Sequence, residues 1–243
     1  MNIEINYGNE CNLNCSYCFL DKKVTIDFKY IQDIILFINK NKIEINEFRP
    51  VGGEPLLHIE NIIYTIDNLI IKPKNISIVT NGILLRKTIN QLYFISSKYN
   101  INLSISVSID NVFSYDHNRK ISSINILMDL LELKEYYKTI EFSINSVVLE
   151  NNKNIELELF CKNNKINIFN IPFISKNTIV KNIHCNKFCS NGLYFFKDKI
   201  YLCKLCHSFF DKSLIGDLNS DYFILKSQMN NNYCLFNKEV INK

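Results

Sequence analysis

The chain has 243 residues, 47% of them hydrophobic and 21% charged, with a formal net charge of +4. That suits one sizeable domain, or one domain with a small appendage, with enough apolar material for a core. Lys and Asn are scattered rather than massed, which argues against a nucleic-acid partner, and there is neither a secretory signal nor an apolar stretch long enough to span a membrane, so a cytoplasmic location is expected. Asn2 to Tyr7 alternates apolar and polar residues, as a half-buried strand does. From Ile26 to Ile38 the apolar residues Phe28, Ile31, Ile34, Ile35 and Ile38 recur at helical spacing. A strand is expected around Ile45 to Val51, a helix from about Glu60 to Ile70 and a strand at Ile76 to Thr80. A helix near Arg86 to Lys98, a strand at Leu103 to Ile109 and a helix at Ser123 to Tyr137 follow. A strand at Ile140 to Leu149, a helix near Ile155 to Asn164 and a strand at Ile166 to Phe173 close the series.

These are about six β–α units, so the predicted fold class is α/β, a partial (β/α)6 barrel over residues 1–174. In such sheets ligands bind at the carboxyl ends of the strands. After a linker at Ser175 to Asn182, residues 175–243 read as a small cysteine-rich β-hairpin/helix domain. Within it, Leu193 to Phe196 and Lys199 to Leu202 flank a turn at Asp198.

Nine cysteines in a cytosolic chain point to metal or redox chemistry rather than to disulfides. Cys11-Asn-Leu-Asn-Cys15-Ser-Tyr-Cys18 lies in the loop directly after the first strand. Three thiolates at C-x3-C-x2-C spacing can ligate three irons of a [4Fe–4S] cube, leaving the fourth iron open for chemistry. The alternative, a zinc knot, wants paired C-x2-C units and a fourth protein ligand, and none lies close by in sequence.

The motif C-x3-C-x-aromatic-C after a first strand resembles the signature of the radical S-adenosylmethionine (SAM) superfamily. The resemblance extends as an order of motifs to about Phe173. It implies that SAM chelates the open iron and is cleaved by one electron to a 5′-deoxyadenosyl radical. It also implies an electron donor such as a flavodoxin or ferredoxin. Tyr17 matches the position whose ring touches adenine. Gly52, Gly53 and Glu54, followed by Pro55, resemble the element that holds the methionine end of SAM; alone they are a tight turn. Thr80 and Asn81, followed by Gly82, resemble another element of the family, and equally an Asn-Gly turn leading into a helix. Ser108 and Asp110 resemble the segment that contacts the ribose and methionine portions of SAM. Arg119, in a stretch similar to one of the peptide-modifying branch, is expected either to pair with the SAM carboxylate or to be a solvated surface charge. Asn145 is expected to point into the barrel.

The tail carries Cys185, Cys189, Cys203, Cys206 and Cys234. Cys189-Ser-Asn-Gly before a hairpin ending in Cys203 resembles the SPASM and shortened "twitch" extensions, which implies an auxiliary [4Fe–4S] cluster. Cys185, Cys189 and Cys203 are its family-like ligands, with either Cys206 or Cys234 as the fourth; Cys203-x2-Cys206 also suits zinc. The Leu214-Ile-Gly216-Asp217-Leu218 stretch resembles a Gly-containing turn of those extensions. Cys161 reads as a small core hydrophobe, and His58 as a helix-cap or surface residue. The expected function is radical modification of a peptide or protein substrate, with recognition of a leader assigned to a separate partner or to a very short recognition surface. The alternatives are oxidation or rearrangement of a small metabolite by a twitch-type enzyme, and a non-catalytic zinc-binding module.

Overall fold

A computed structural model of the chain describes residues 1–18, 20–112, 116, 119–148, 154–172, 192–201 and 214–222. Six strands alternate with five helices: β1 (Asn2–Asn6), α1 (Phe28–Lys40), β2 (Glu47–Val51), α2 (Ile59–Asn68), β3 (Asn75–Thr80), α3 (Leu85–Tyr99), β4 (Asn102–Ser108), α4 (Ser123–Tyr136), β5 (Glu141–Val148), α5 (Ile155–Asn163) and β6 (Asn167–Pro172). Local chemistry sets the helix ends. Asp27 caps α1 by accepting from Lys29 N, and Asn154 caps α5 by accepting from Leu157 N. Asn100 takes the left-handed conformation that stops α3.

The strands form a parallel sheet in the order β6-β5-β4-β3-β2-β1, the partial (β/α) barrel expected. The period of two along each strand separates two environments. In β4, Leu103, Ile105 and Val107 are buried in the hydrophobic core, while Ser104, Ser106 and Ser108 line a cavity on the other face. β1 does the same with Ile3 and Ile5 in the core and Glu4 on the cavity, and β5 with Phe142 and Ile144 against Ser143 and Asn145. The cavity face of the sheet therefore carries hydroxyl, amide and carboxylate groups alongside Val79, Phe169 and Ile171, and the apolar layer includes the buried hydrophobic residues of α1, α3 and α4. Cys161 is 1% exposed in that layer, its thiol pushed up to about 11 by burial, a small core residue as expected.

Three further strands join the same sheet. β7 (Gly192–Phe196) pairs parallel with β1, placing Asn2 beside Gly192 and Ile5 beside Phe195. β8 (Lys199–Tyr201) returns antiparallel, which is the expected hairpin, and β9 (Leu214–Asp217) pairs antiparallel with β8. The stretch from Leu214 to Leu218, likened above to a turn, is a strand whose turn comes only after Asp217. Cys185, Cys189, Cys203, Cys206 and Cys234 lie outside the described residues. Among the described residues no helix is long and apolar enough to cross a membrane.

Candidate active site

The loop after β1 carries Cys11, Cys15 and Cys18, and backbone bonds tie it down at its base. Asn9 N donates to Val24 O at 2.8 Å, and Cys18 N to Cys15 O at 3.2 Å. Lys22 Nζ donates to Leu13 O and to Asn14 Oδ1. All three cysteines line the carboxyl end of a cavity of about 730 Å³, within the size range of small-molecule sites. Cys11 and Cys15 are half-buried and Cys18 is exposed. Among the described residues, no group of three His, Cys, Asp or Glu side chains comes together as a single-ion site.

The loop after β2 packs directly beneath. Gly53 N donates to Gly8 O at 2.9 Å and Glu54 N to Glu10 O at 2.8 Å. A Cβ on Gly52 would sit 2.0 Å from Gly8 O, at a φ of +145° that side chains rarely adopt. One on Gly53 would sit 2.2 Å from Glu10 O. These glycines thus let two loops cross beside the cysteines. Glu54 is 1% exposed. Its Oε1 accepts from Leu56 N at 3.1 Å and Thr80 Oγ1 at 2.7 Å, and its Oε2 from Asn81 N at 2.8 Å. Burial raises its pKa above the carboxylate range, while those bonds pull against the rise. Glu54 therefore joins the β2 and β3 loops.

Asn81 extends that chain to the cysteine loop. Its Oδ1 accepts from Ile83 N at 3.0 Å, and its Nδ2 donates to Asn12 Oδ1 at 2.7 Å and to Cys11 Sγ at 3.8 Å. The segment is the expected turn leading into a helix, and Thr80 and Asn81 also line the cavity.

On the opposite side, Tyr17 Oη donates to Asp110 Oδ2 at 2.5 Å and accepts from Arg119 Nη1 at 3.3 Å. Asp110 Oδ1 accepts from Val147 N at 2.8 Å. Burial raises the Asp110 pKa and the Arg119 charge opposes it; burial likewise raises the Tyr17 hydroxyl and the Cys15 thiol, each opposed by Arg119. Arg119 is 5% exposed, so it is not a solvated surface charge. Its backbone N donates to Asp116 Oδ1 at 3.1 Å, whereas its Nε is buried without a hydrogen-bond partner. Arg119, Tyr17 and Ser108 line the cavity; Asp110 stands behind them.

The site also includes residues that no motif flagged. Arg49 Nη2 lies 2.6 Å from Glu47 Oε2, and Arg49 Nη1 lies 3.5 Å from Glu4 Oε1. Ser77 Oγ donates to Glu47 Oε1 at 2.6 Å and lies 2.8 Å from Ser104 Oγ. Ser106 and Ser143 pair at 2.6 Å, and Asn145 lines the wall as expected. The strand alternation could have located these residues; it does not reveal that the polar face turns inward. His58 occupies the N-cap position of α2 without a side-chain cap bond, and its Nε2 lies 3.4 Å from Glu10 Oε2.

A parallel partial barrel with three cysteines in its first loop and a cavity beside them defines a class of enzyme. Residues 5–162 match the radical SAM superfamily, and the chain belongs to it. A GTP 3′,8-cyclase of Staphylococcus epidermidis is 28% identical over 71% of this chain and 54% of its own length. An uncharacterized protein of Methanocaldococcus jannaschii is 33% identical over 63% of this chain and 54% of its own. The chain spans about half the length of these curated relatives. In fold it is similar to native anSMEcpe with bound AdoMet (TM-score 0.68, 17% identity, 92% of this chain and 80% of that one). It is also similar to Streptococcus suis SuiB bound to precursor peptide SuiA (TM-score 0.64, 17% identity, 90% and 63%). The family implies a [4Fe–4S] cluster and SAM, and the residues present fit them. Three thiols share one cavity end, and a buried guanidinium with an unsatisfied N–H lies beside them, suited to an anionic group.

Proposed function

We propose that Cys11, Cys15 and Cys18 hold a [4Fe–4S] cluster and that the cavity below admits a side chain of a peptide or protein substrate. The chemistry such a cluster supplies is one-electron cleavage of bound SAM to a 5′-deoxyadenosyl radical. The observation that carries the reading is the meeting of three thiols and Arg119 in the lining of one cavity. In it, Arg119 offers its unpaired Nε–H to the SAM carboxylate. Tyr17, fixed by Asp110, presents its ring beside the cysteines, and Ser108 offers a hydroxyl from the end of β4. Glu54, Thr80, Gly52 and Gly53 hold the loops in place. The tail cysteines are proposed, by their spacing alone, to hold an auxiliary cluster.

A second reading, a small-metabolite substrate, is favoured by the 28% identity to GTP 3′,8-cyclase. Among the described residues the cavity offers little free positive charge for a nucleoside triphosphate. Its cationic side chains, among the described residues, are Arg49 and Arg119, and Arg49 is held by Glu47 and Glu4. A triphosphate needs several cations free to take its oxygens. A neutral or weakly polar side chain needs none.

Anaerobic incubation of the reconstituted chain with SAM and dithionite, with and without GTP, tests the proposal. It expects 5′-deoxyadenosine in both samples and no GTP consumption. GTP-dependent turnover would establish the second reading instead, and no 5′-deoxyadenosine in either sample would contradict both.

A further inference from the structure

We infer that Asn81 is a positioning residue that tunes the cluster through the sulfur of Cys11. This rests on reading Cys11 as a cluster ligand. Asn81 is 6% exposed, and its orientation is fixed from several sides. Its backbone N donates to Glu54 Oε2 at 2.8 Å, and its side-chain oxygen accepts from Ile83 N at 3.0 Å. With the oxygen committed to Ile83, the amide can only be placed with its NH2 group towards Asn12 and Cys11. One N–H is taken by Asn12 Oδ1 at 2.7 Å, and the group also lies 3.8 Å from Cys11 Sγ. The same sulfur accepts from Leu13 N at 3.4 Å.

Two N–H donors on one thiolate sulfur draw charge away from it. A cluster gains negative charge on reduction, so such donors favour the reduced form and raise its potential. Asn81 neither gives nor takes a proton in this role. The single electron enters from an external reductant, and Asn81 sets how readily the cluster accepts it. The chain of bonds from Glu54 through Asn81 to Cys11 also explains why a fully buried carboxylate sits one loop away from the thiols: it aims the amide.

The test is an anaerobic redox titration of the reconstituted chain, using dithionite and mediators. It follows the component of the reduced-cluster EPR signal that changes when SAM is added, which separates the amino-terminal cluster from any other. N81D keeps the oxygen that Ile83 needs but removes the donor and adds negative charge near the sulfur. N81A removes the donor without adding charge. Both midpoints are expected to move to more negative values, N81D further than N81A, with iron content as in wild type. Midpoints equal to wild type in fully loaded variants would overturn the inference. So would loss of iron with an unchanged melting curve, which would make Asn81 a structural anchor only. A wild-type chain that takes up no SAM-responsive cluster would instead remove the underlying assignment of Cys11, and it is measured first.

Discussion

Tyr17 Oη donates to Asp110 Oδ2 at 2.5 Å, a bond that ties the cysteine loop to the segment following β4 across 93 residues of sequence. That length lies at the short limit for a hydroxyl donating to a carboxylate. Arg119 completes the group, 3.8 Å from the same Asp110 oxygen. One buried carboxylate thus orients the two side chains that face the cavity.

Replacing Asp110 by Asn weakens that orientation and leaves the Arg119 charge less compensated. D110N is expected to lose on the order of 1–3 kcal/mol of stability. Its affinity for SAM should fall as well, and Y17F should lose less than D110N. A double-mutant cycle of D110N and Y17F checks the linkage: the two effects should be non-additive, as expected of groups in contact.

Gly52 meets the Gly8 carbonyl where a side chain would have to be. G52A is expected to cost at least ~2 kcal/mol, because it combines a steric clash with a strained φ. Denaturant melts measure the loss, and iron content after reconstitution shows whether the cysteine loop shifts with it.

The acid limb of stability should depend on Glu47. Burial alone would raise its pKa, but the bonds from Arg49 and Ser77 outweigh this and hold it below the ordinary carboxylate value. A depressed pKa stabilises the fold above the ordinary value, near ~4.3 for Glu, and that contribution disappears as pH falls through the folded value. Wild type should therefore exceed E47Q in stability at neutral pH, with the gap closing in acid. Chemical denaturation across that range tests it; a gap independent of pH would show that Glu47 contributes no proton linkage.

Phe195 in β7 is fully buried and packs edge-on against Phe37 of α1, their ring centroids 6.1 Å apart. Because β7 is part of the barrel's own core, F195A should cost about 3–5 kcal/mol and lower the single unfolding transition of the whole sheet. A separate, earlier transition in the variant would mean that β7 melts on its own.

Much of this was legible in the sequence because the elements are regular. The helical spacing of Ile31, Ile34, Ile35 and Ile38 and the alternation in β4 gave the right element types, with ends displaced by one or two residues. The cysteine spacing located the site because the chemistry depends on local spacing. What was not legible depends on distant contacts. Glycines at 52 and 53 read as a turn or a cofactor element, yet their nearest neighbours are backbone atoms of Gly8 to Glu10. Leu214–Asp217 contains a glycine and reads as a turn, but pairing with β8 makes it a strand. Arg119 reads equally as a cofactor partner or a surface charge until Asp110 and Tyr17 are brought beside it.

The central claim is that the thiols of Cys11, Cys15 and Cys18 leave one iron of a cluster open to SAM. The direct measurement is the EPR spectrum of the reduced, anaerobically reconstituted chain before and after adding SAM. Wild type should show a changed cluster signal, and the variant with Ala at all three positions should show no SAM-dependent change. A wild-type spectrum that carries a cluster signal but is indifferent to SAM would contradict the account.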